Sequence, residues 1–157
     1  MKPLRKSAGI LLYRLHKTEP EFFLVHPGGP FWAKKDLGTW SIPKGEFEVD
    51  EDPLAAAKRE FKEETSTDLS GNFVELTPVL QKAGKQVYAW AVEGNIDAST
   101  IQSNTFKIEW PPKSGTWKSY PEVDKAGWFN ATVAKEKINP AQVAFIEELM
   151  DKLSRQA

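Results

Sequence analysis

Over residues 39–64 the chain sets a proline-lysine-glycine break, a run of acids and a helix start close together, an order few folds accommodate. Asp52 followed by Pro53 is a helix-start pair. The aspartate caps free backbone N–H groups, and proline takes the first helical position, where its missing N–H costs nothing. At about 100° per residue, Glu60, Glu63 and Glu64 project within roughly one 100° arc, and Leu54, Ala57 and Phe61 form an apolar stripe beside them. Ala56, one turn before Glu60 on the acidic side, is small enough to leave room there. Upstream, residues 39–42 predict a short strand that ends at Pro43-Lys44-Gly45. Gly45 brings dihedral freedom and lets a backbone carbonyl approach a cation closely. The expected order is strand, loop, helix.

Three carboxylates on one helix side repel one another, and a solvated face gains nothing from them. A hard divalent cation reverses that balance, because Mg²⁺ or Mn²⁺ takes oxygen ligands and shares them with phosphates. An ordinary charged surface helix is the competing reading, since glutamate is a good helix former.

The spacing of this segment resembles the signature of the Nudix hydrolases, a glycine followed at fixed intervals by E, R-E, an apolar position and E-E. Gly45, Glu51, Arg59, Glu60, Glu63 and Glu64 match without a gap, and Phe61 takes the bulky apolar position. Ser66 and Thr67 stand where the signature closes with glycine and a bulky aliphatic residue. The resemblance implies an α/β/α sandwich with a mixed sheet and two main helices. It also implies that Glu60, Glu63 and Glu64, with the Gly45 carbonyl, bind catalytic cations, while Arg59 pairs with Glu51 in a structural role. The implied reaction is hydrolysis of a phosphoanhydride in a nucleoside diphosphate derivative. Divalent ions would invert the field of the acidic pocket and acidify a water. The water's proton goes to Glu63 by its motif position, or to a loop carboxylate, Glu109 or Glu122.

The run Trp40-Ser41-Ile42-Pro43-Lys44-Gly45 resembles the entry of the diadenosine polyphosphate hydrolase branch and related bacterial enzymes. Glu48 matches a glutamate of that branch and is an additional candidate ligand. Lys44 is a candidate phosphate contact, as a point charge, or a solvated lysine. Lys34 and Lys35 are candidates for the distal phosphates of a long chain, with a solvated pair as the alternative.

The remaining sequence is consistent with one domain over 1–157. A net charge of −1 gives no broad basic field to hold nucleic acid. With no cysteine, disulfides, thiolate metal sites and cysteine nucleophiles are excluded, and His16 and His26 are too few for a histidine metal site. No apolar run reaches membrane-spanning length and the N-terminus lacks a signal-peptide core, so cytoplasmic residence is the default expectation. The oligomeric expectation is a monomer or homodimer.

Residues 7–13 predict a strand buried on both faces, paired with 21–25, and residues 73–80 and 85–92 predict a hairpin. Residues 126–129 read as a last short strand. Asn139 is expected to cap the final helix, with Gln142 at the reciprocal capping position and Val143, Ile146, Met150 and Leu153 facing the core. Residues 26–32 and 103–123 read as loops. In the second loop Trp110, Trp117 and Tyr120 are candidates to clamp a purine, or simply to pack; Trp40, Trp90 and Trp128 are assigned to the core.

Three functions follow. The first is asymmetric hydrolysis of a bis(5'-nucleosyl) tetraphosphate, giving ATP and AMP from the adenosine compound. The second is a nucleoside triphosphate pyrophosphohydrolase that removes damaged nucleotides. The third is a nucleotide-binding module without turnover, a class marked by lost acids, none of which is lost here.

Overall fold

The computed structural model describes residues 5–17 and 19–156; the expected domain bounds run past them at both ends. Strands β1 (Arg5–His16) and β2 (Glu19–Pro27) form the expected antiparallel pair, Tyr13 facing Phe22. They are followed by β3 (Lys44–Glu46), α1 (Pro53–Thr65), β4 (Val74–Gln81) and β5 (Lys85–Glu93). The chain then forms β6 (Thr105–Glu109), β7 (Trp117–Pro121), β8 (Val123–Asn130), α2 (Ala131–Lys137) and α3 (Val143–Arg155). The main sheet is mixed, in the order β4-β5-β1-β2-β8, with β3 also paired to β1. Among the described residues, β1 and β5 are the one strand pair that runs parallel.

Alternation along β1 supplies both faces of the sheet. Ala8, Ile10 and Leu12 pack with Phe23, Val25 and the α1 residues Ala56, Ala57 and Phe61. Leu11 points the other way, joining Phe22, Leu24, Val87 and Ala89 under Ala134, Phe145, Ile146 and Leu149 of the last two helices. The result is the expected α/β/α sandwich. Phe61 is fully buried, a contribution of roughly 1.5–3 kcal/mol for such a side chain. Ala56 belongs to this core too, so its small size seats α1 against the sheet.

Several local expectations change. Residues 39–42 are not a strand but two isolated bridges, Trp40 to Ile138 and Ser41 to Val25. The strand comes later, at β3, where Gly45 faces Ala8 of β1. Residues 103–123 are not a loop: β6 and β7 make a separate antiparallel hairpin. The last strand, β8, starts three residues earlier than expected and runs antiparallel along β2. Asn139 caps a short 3-10 turn, accepting from the Ala141 N–H, and α3 starts only at Val143. Gln142 does not reach back to cap it. Its buried amide receives the Ile42 N–H (3.1 Å) and donates to Gln81 (2.8 Å), tying α3 to the segment before β3.

The position of the site follows from one split edge. The C-terminal half of β1 pairs with β2, and its N-terminal half pairs with β3. Residues 41–44 cross between these partners, Ser41 bonding Val25 and the Pro43 carbonyl accepting from Ile10. A cavity of about 320 Å³ lies along this crossing, lined by Val25, Ser41, Ile42 and Lys44 among others.

Candidate active site

Helix α1 starts as its sequence dictates, with the Asp52 carboxylate accepting from the Ala55 N–H at 3.0 Å and Pro53 in first place. It ends on Ser66, whose φ of 63° lies in the left-handed region where the signature carries glycine. Serine holds that conformation because its N–H donates to Lys62 (2.7 Å) and its hydroxyl to the Gln102 carbonyl (2.6 Å). The departure from the signature therefore leaves the helix end intact.

Arg59 organises the acids. Its guanidinium donates to both Glu51 oxygens (3.0 and 3.2 Å), and its Nη1 also donates to Glu60 (2.9 Å) and Glu63 (3.0 Å). The Glu51 pairing foreseen in the sequence is present, and one cation serves three carboxylates. Arg59→Ala is expected to lower the melting temperature by a few degrees and turnover with it, because those carboxylates would then repel unopposed. An unaltered Tm in thermal unfolding would remove this organising role.

The acids are also partly desolvated. Burial, then the neighbouring Glu60 charge, pushes Glu64 well above the ordinary carboxylate range. Glu60 is raised by burial and by Glu63. Glu122, entering β8, is raised by burial and again by Glu63. Lys44 is depressed to about 8, first by burial and then by the charge of Lys85, against the pull of Glu64. Glu64, Glu122, Lys44, Lys85 and the half-buried Trp32 all line the 320 Å³ cavity.

Glu122 arrives there through backbone bonds. Asn104 N–H donates to the Glu63 carbonyl, Glu122 N–H to the Asn104 carbonyl, and Gly28 N–H to the Glu122 carbonyl, each at 2.9 Å. The root of the β6–β7 hairpin is thus fastened to the end of α1.

Other candidates stand elsewhere. Glu48 is exposed and lines a second cavity with Glu51, away from the wall formed by Glu64. Lys34 and Lys35 are not among the residues lining the 320 Å³ cavity, and the Lys35 ammonium lies 3.7 Å from the Phe31 ring centre. Glu109 closes the hairpin turn, accepting from the Lys113 and Gly115 N–H groups at 3.1 and 3.0 Å. Trp110 and the exposed Trp117 sit at that turn, while Tyr120 packs toward Phe106. None of these three aromatics lines the cavity; Trp32 is the aromatic that does. Trp32, Lys85 and Gln142 were not singled out as site residues from sequence. Trp32 sits at the end of the His26-Pro27-Gly28-Gly29-Pro30 run, a stretch built to turn back on the sheet. Lys85 opens a strand and leaves no comparable trace.

Among the described residues, no three acidic, histidine or cysteine side chains are preassembled around one point. The donor set still suits a hard divalent cation. Glu60 and Glu64 are crowded and desolvated, and a Cβ built on Gly45 would overlap the Glu60 carboxylate, so glycine opens the space between strand and helix that this acid occupies. Gly45 has no positive φ; space, not dihedral freedom, is what it provides.

The fold is shared with solved structures. A C. elegans Ap4A hydrolase binary complex matches at 22% identity and a TM-score of 0.69, over 96% of this chain and 98% of that one. The NUDIX domain of Shewanella oneidensis NrtR, complexed with ADP ribose, matches at 17% identity and 0.67, over 98% and 90%. A MutT protein from Methanosarcina mazei Go1 matches at 18% identity and 0.61, over 96% of each. No curated protein matches significantly. Among the described residues no helix is long and apolar enough to cross a membrane. The NUDIX domain profile matches residues 3–149, nearly the whole chain, signature acids included. The chain belongs to the NUDIX domain family, as a hydrolase of phosphoanhydride-bearing nucleotides in a family that generally uses divalent metal ions.

Proposed function

We propose that the protein cleaves a bis(5'-nucleosyl) tetraphosphate asymmetrically in the presence of Mg²⁺ or Mn²⁺, giving ATP and AMP from the diadenosine compound. The observation that carries this reading is the cavity in which Lys44 and Lys85 converge with Glu64 and Glu122 beside Trp32. Two ammonium groups attract a polyphosphate, and an indole wall offers a face for a base, a contact worth roughly 1–3 kcal/mol. Glu60, Glu63, Glu64 and the Gly45 carbonyl would hold the cations. When bound, these supply Lewis-acid stabilisation of phosphate charge and a more acidic water.

Glu122 is the base we assign. Its raised carboxyl titrates nearer neutral pH, as a base needs. Glu63, first by motif position, is bonded to Arg59 and does not line the cavity. Lys44 neutralises the phosphate chain from the β3 end.

The likeness to the C. elegans Ap4A hydrolase supports the dinucleotide substrate. The modest volume favours a second reading, a nucleoside triphosphate pyrophosphohydrolase. At about 320 Å³ the cavity lies at the small end of ligand sites and suits a single nucleoside. Products separate the two. With Mg²⁺ or Mn²⁺, chromatography should show ATP and AMP from diadenosine tetraphosphate, and ¹⁸O-water should mark the attacked phosphorus. A monophosphate and pyrophosphate from triphosphates alone would select the second reading. An inert panel would refute both.

A further inference from the structure

His26 is fully buried, yet the chemistry above makes no use of it. It projects from β2 into the space between β8 and the 28–36 turn. Its Nδ1 meets the Asp124 carboxylate at 2.8 Å, and its Nε2 meets the Lys35 carbonyl at 2.6 Å. Both partners are acceptors, so whichever ring nitrogen carries a proton donates to its partner. The edge of Trp40 closes the site, ring centres 5.3 Å apart.

We infer that His26 is a positioning residue for nucleotide binding: with Asp124 it latches the turn that presents Trp32 to the cavity. The latch deepens the reading proposed above and rests on it. The connections are direct. Lys35, whose carbonyl His26 holds, donates its own N–H to the Trp32 carbonyl at 2.9 Å. Asp36, next in the chain, is fixed separately by the Trp40 indole (2.7 Å) and the Lys137 ammonium (2.9 Å). At the other root, Gly28 donates to the Glu122 carbonyl. Asp124 stands on β8, two residues beyond Glu122, which immediately precedes that strand. One imidazole thus sets the spacing between the aromatic wall and the acidic wall. A histidine serves because its two nitrogens lie at opposite edges of a rigid ring and reach both segments at once. Burial of the ring raises the cost of losing a bond, since a desolvated polar group in its place would be left unpaired.

The test uses two amide substitutions that each keep half of the latch. His26→Gln places an amide nitrogen near the position of Nε2 and retains the Lys35 bond; His26→Asn places one near Nδ1 and retains only Asp124. His26→Asn is expected to raise KM for diadenosine tetraphosphate by about tenfold, the loss of roughly one buried hydrogen bond, with kcat within about twofold. His26→Gln should bring KM back to within about threefold of wild type. In a Trp32→Leu background, His26→Asn should add nothing further, because the two act as one unit. Amide hydrogen exchange in the 28–36 turn of nucleotide-free protein should quicken in His26→Asn and not in His26→Gln. Equal behaviour of the two amides, or additive effects with Trp32→Leu, would overturn the latch. If His26→Asn does not fold, His26→Gln takes its place alone: it must keep KM and the exchange of the 28–36 turn within about threefold of wild type, and a rise of about tenfold in either overturns the latch as well. The exchange measurement needs no turnover. Wild-type protein inert toward every nucleotide would therefore defeat the proposed substrate without deciding the latch.

Discussion

Glu64→Gln is expected to lower metal-dependent turnover at least about a hundredfold while leaving the fold intact. Charge stabilisation by a bound metal is worth several kcal/mol, and about 1.4 kcal/mol already makes a factor of ten. Glutamine keeps the shape of glutamate and removes only the anionic oxygen, so the helix and its packing stay. The same exchange should act on stability in the opposite direction. Glu64 is 7% exposed and its carboxyl lies well above the ordinary 4.5, chiefly through burial and then through Glu60. The folded protein therefore binds that proton more tightly than the unfolded chain does, and metal-free stability falls as pH rises from about 4.5 through the raised value. Below about 4.5 the group is protonated in both states, and glutamine and glutamic acid should behave alike. Thermal unfolding without metal should thus give matching melting temperatures at acid pH and a higher one for Glu64→Gln at pH about 8. Parallel curves would show that Glu64 is not held under desolvation strain. Turnover within a few-fold of wild type would remove it from the metal-binding set.

The same residues show why some of this was legible in the sequence. The start of α1 is a local matter: Asp52 caps a helix whose first residue is Pro53, and no distant partner is needed. The Phe61 stripe and the apolar run of β1 are equally local, while the Arg59–Glu51 pair was legible through the resemblance, since Glu51 lies outside the helix. What escaped depends on partners far along the chain. Residues 39–42 have strand-like composition, yet Trp40 bridges to Ile138 and Ser41 to Val25, so the segment is divided between two elements instead of pairing along one. The β6–β7 hairpin hid behind Pro111, Pro112 and Gly115, which form its turn, held by Glu109 reaching forward to Lys113 and Gly115. Gln142 resembled a capping residue because spacing is all that sequence reveals; its amide is instead drawn into the core by Ile42 and Gln81. The cavity wall is the extreme case. Trp32 and Lys85 come from a turn and a strand start, and only the folded chain brings them to Lys44, Glu64 and Glu122.

Gly45→Ala should separate catalysis from stability more cleanly than any change to an acid. The added methyl would overlap the Glu60 carboxylate, the far end of a flexible side chain, so Glu60 can swing aside at little cost to the fold. The backbone at Gly45 lies in β3, paired with Ala8 and without a positive φ, so alanine brings no dihedral strain. Removing a glycine also narrows the unfolded ensemble, by about 0.4–1 kcal/mol where the native dihedrals suit alanine. Stability should therefore be unchanged or slightly higher. Activity should not survive, because Glu60 displaced from β3 is a lost ligand. A fall in kcat of at least about a hundredfold is expected, with weaker Mn²⁺ affinity by titration and a Tm at or above wild type. Arg59→Ala, which unbalances three carboxylates, should lower Tm and kcat together. If Gly45→Ala instead lost stability in step with activity, the glycine would be serving the strand. If it kept both, the approach of Glu60 to β3 would have no part in the chemistry, and the cation would have to be held by Glu63 and Glu64 without it.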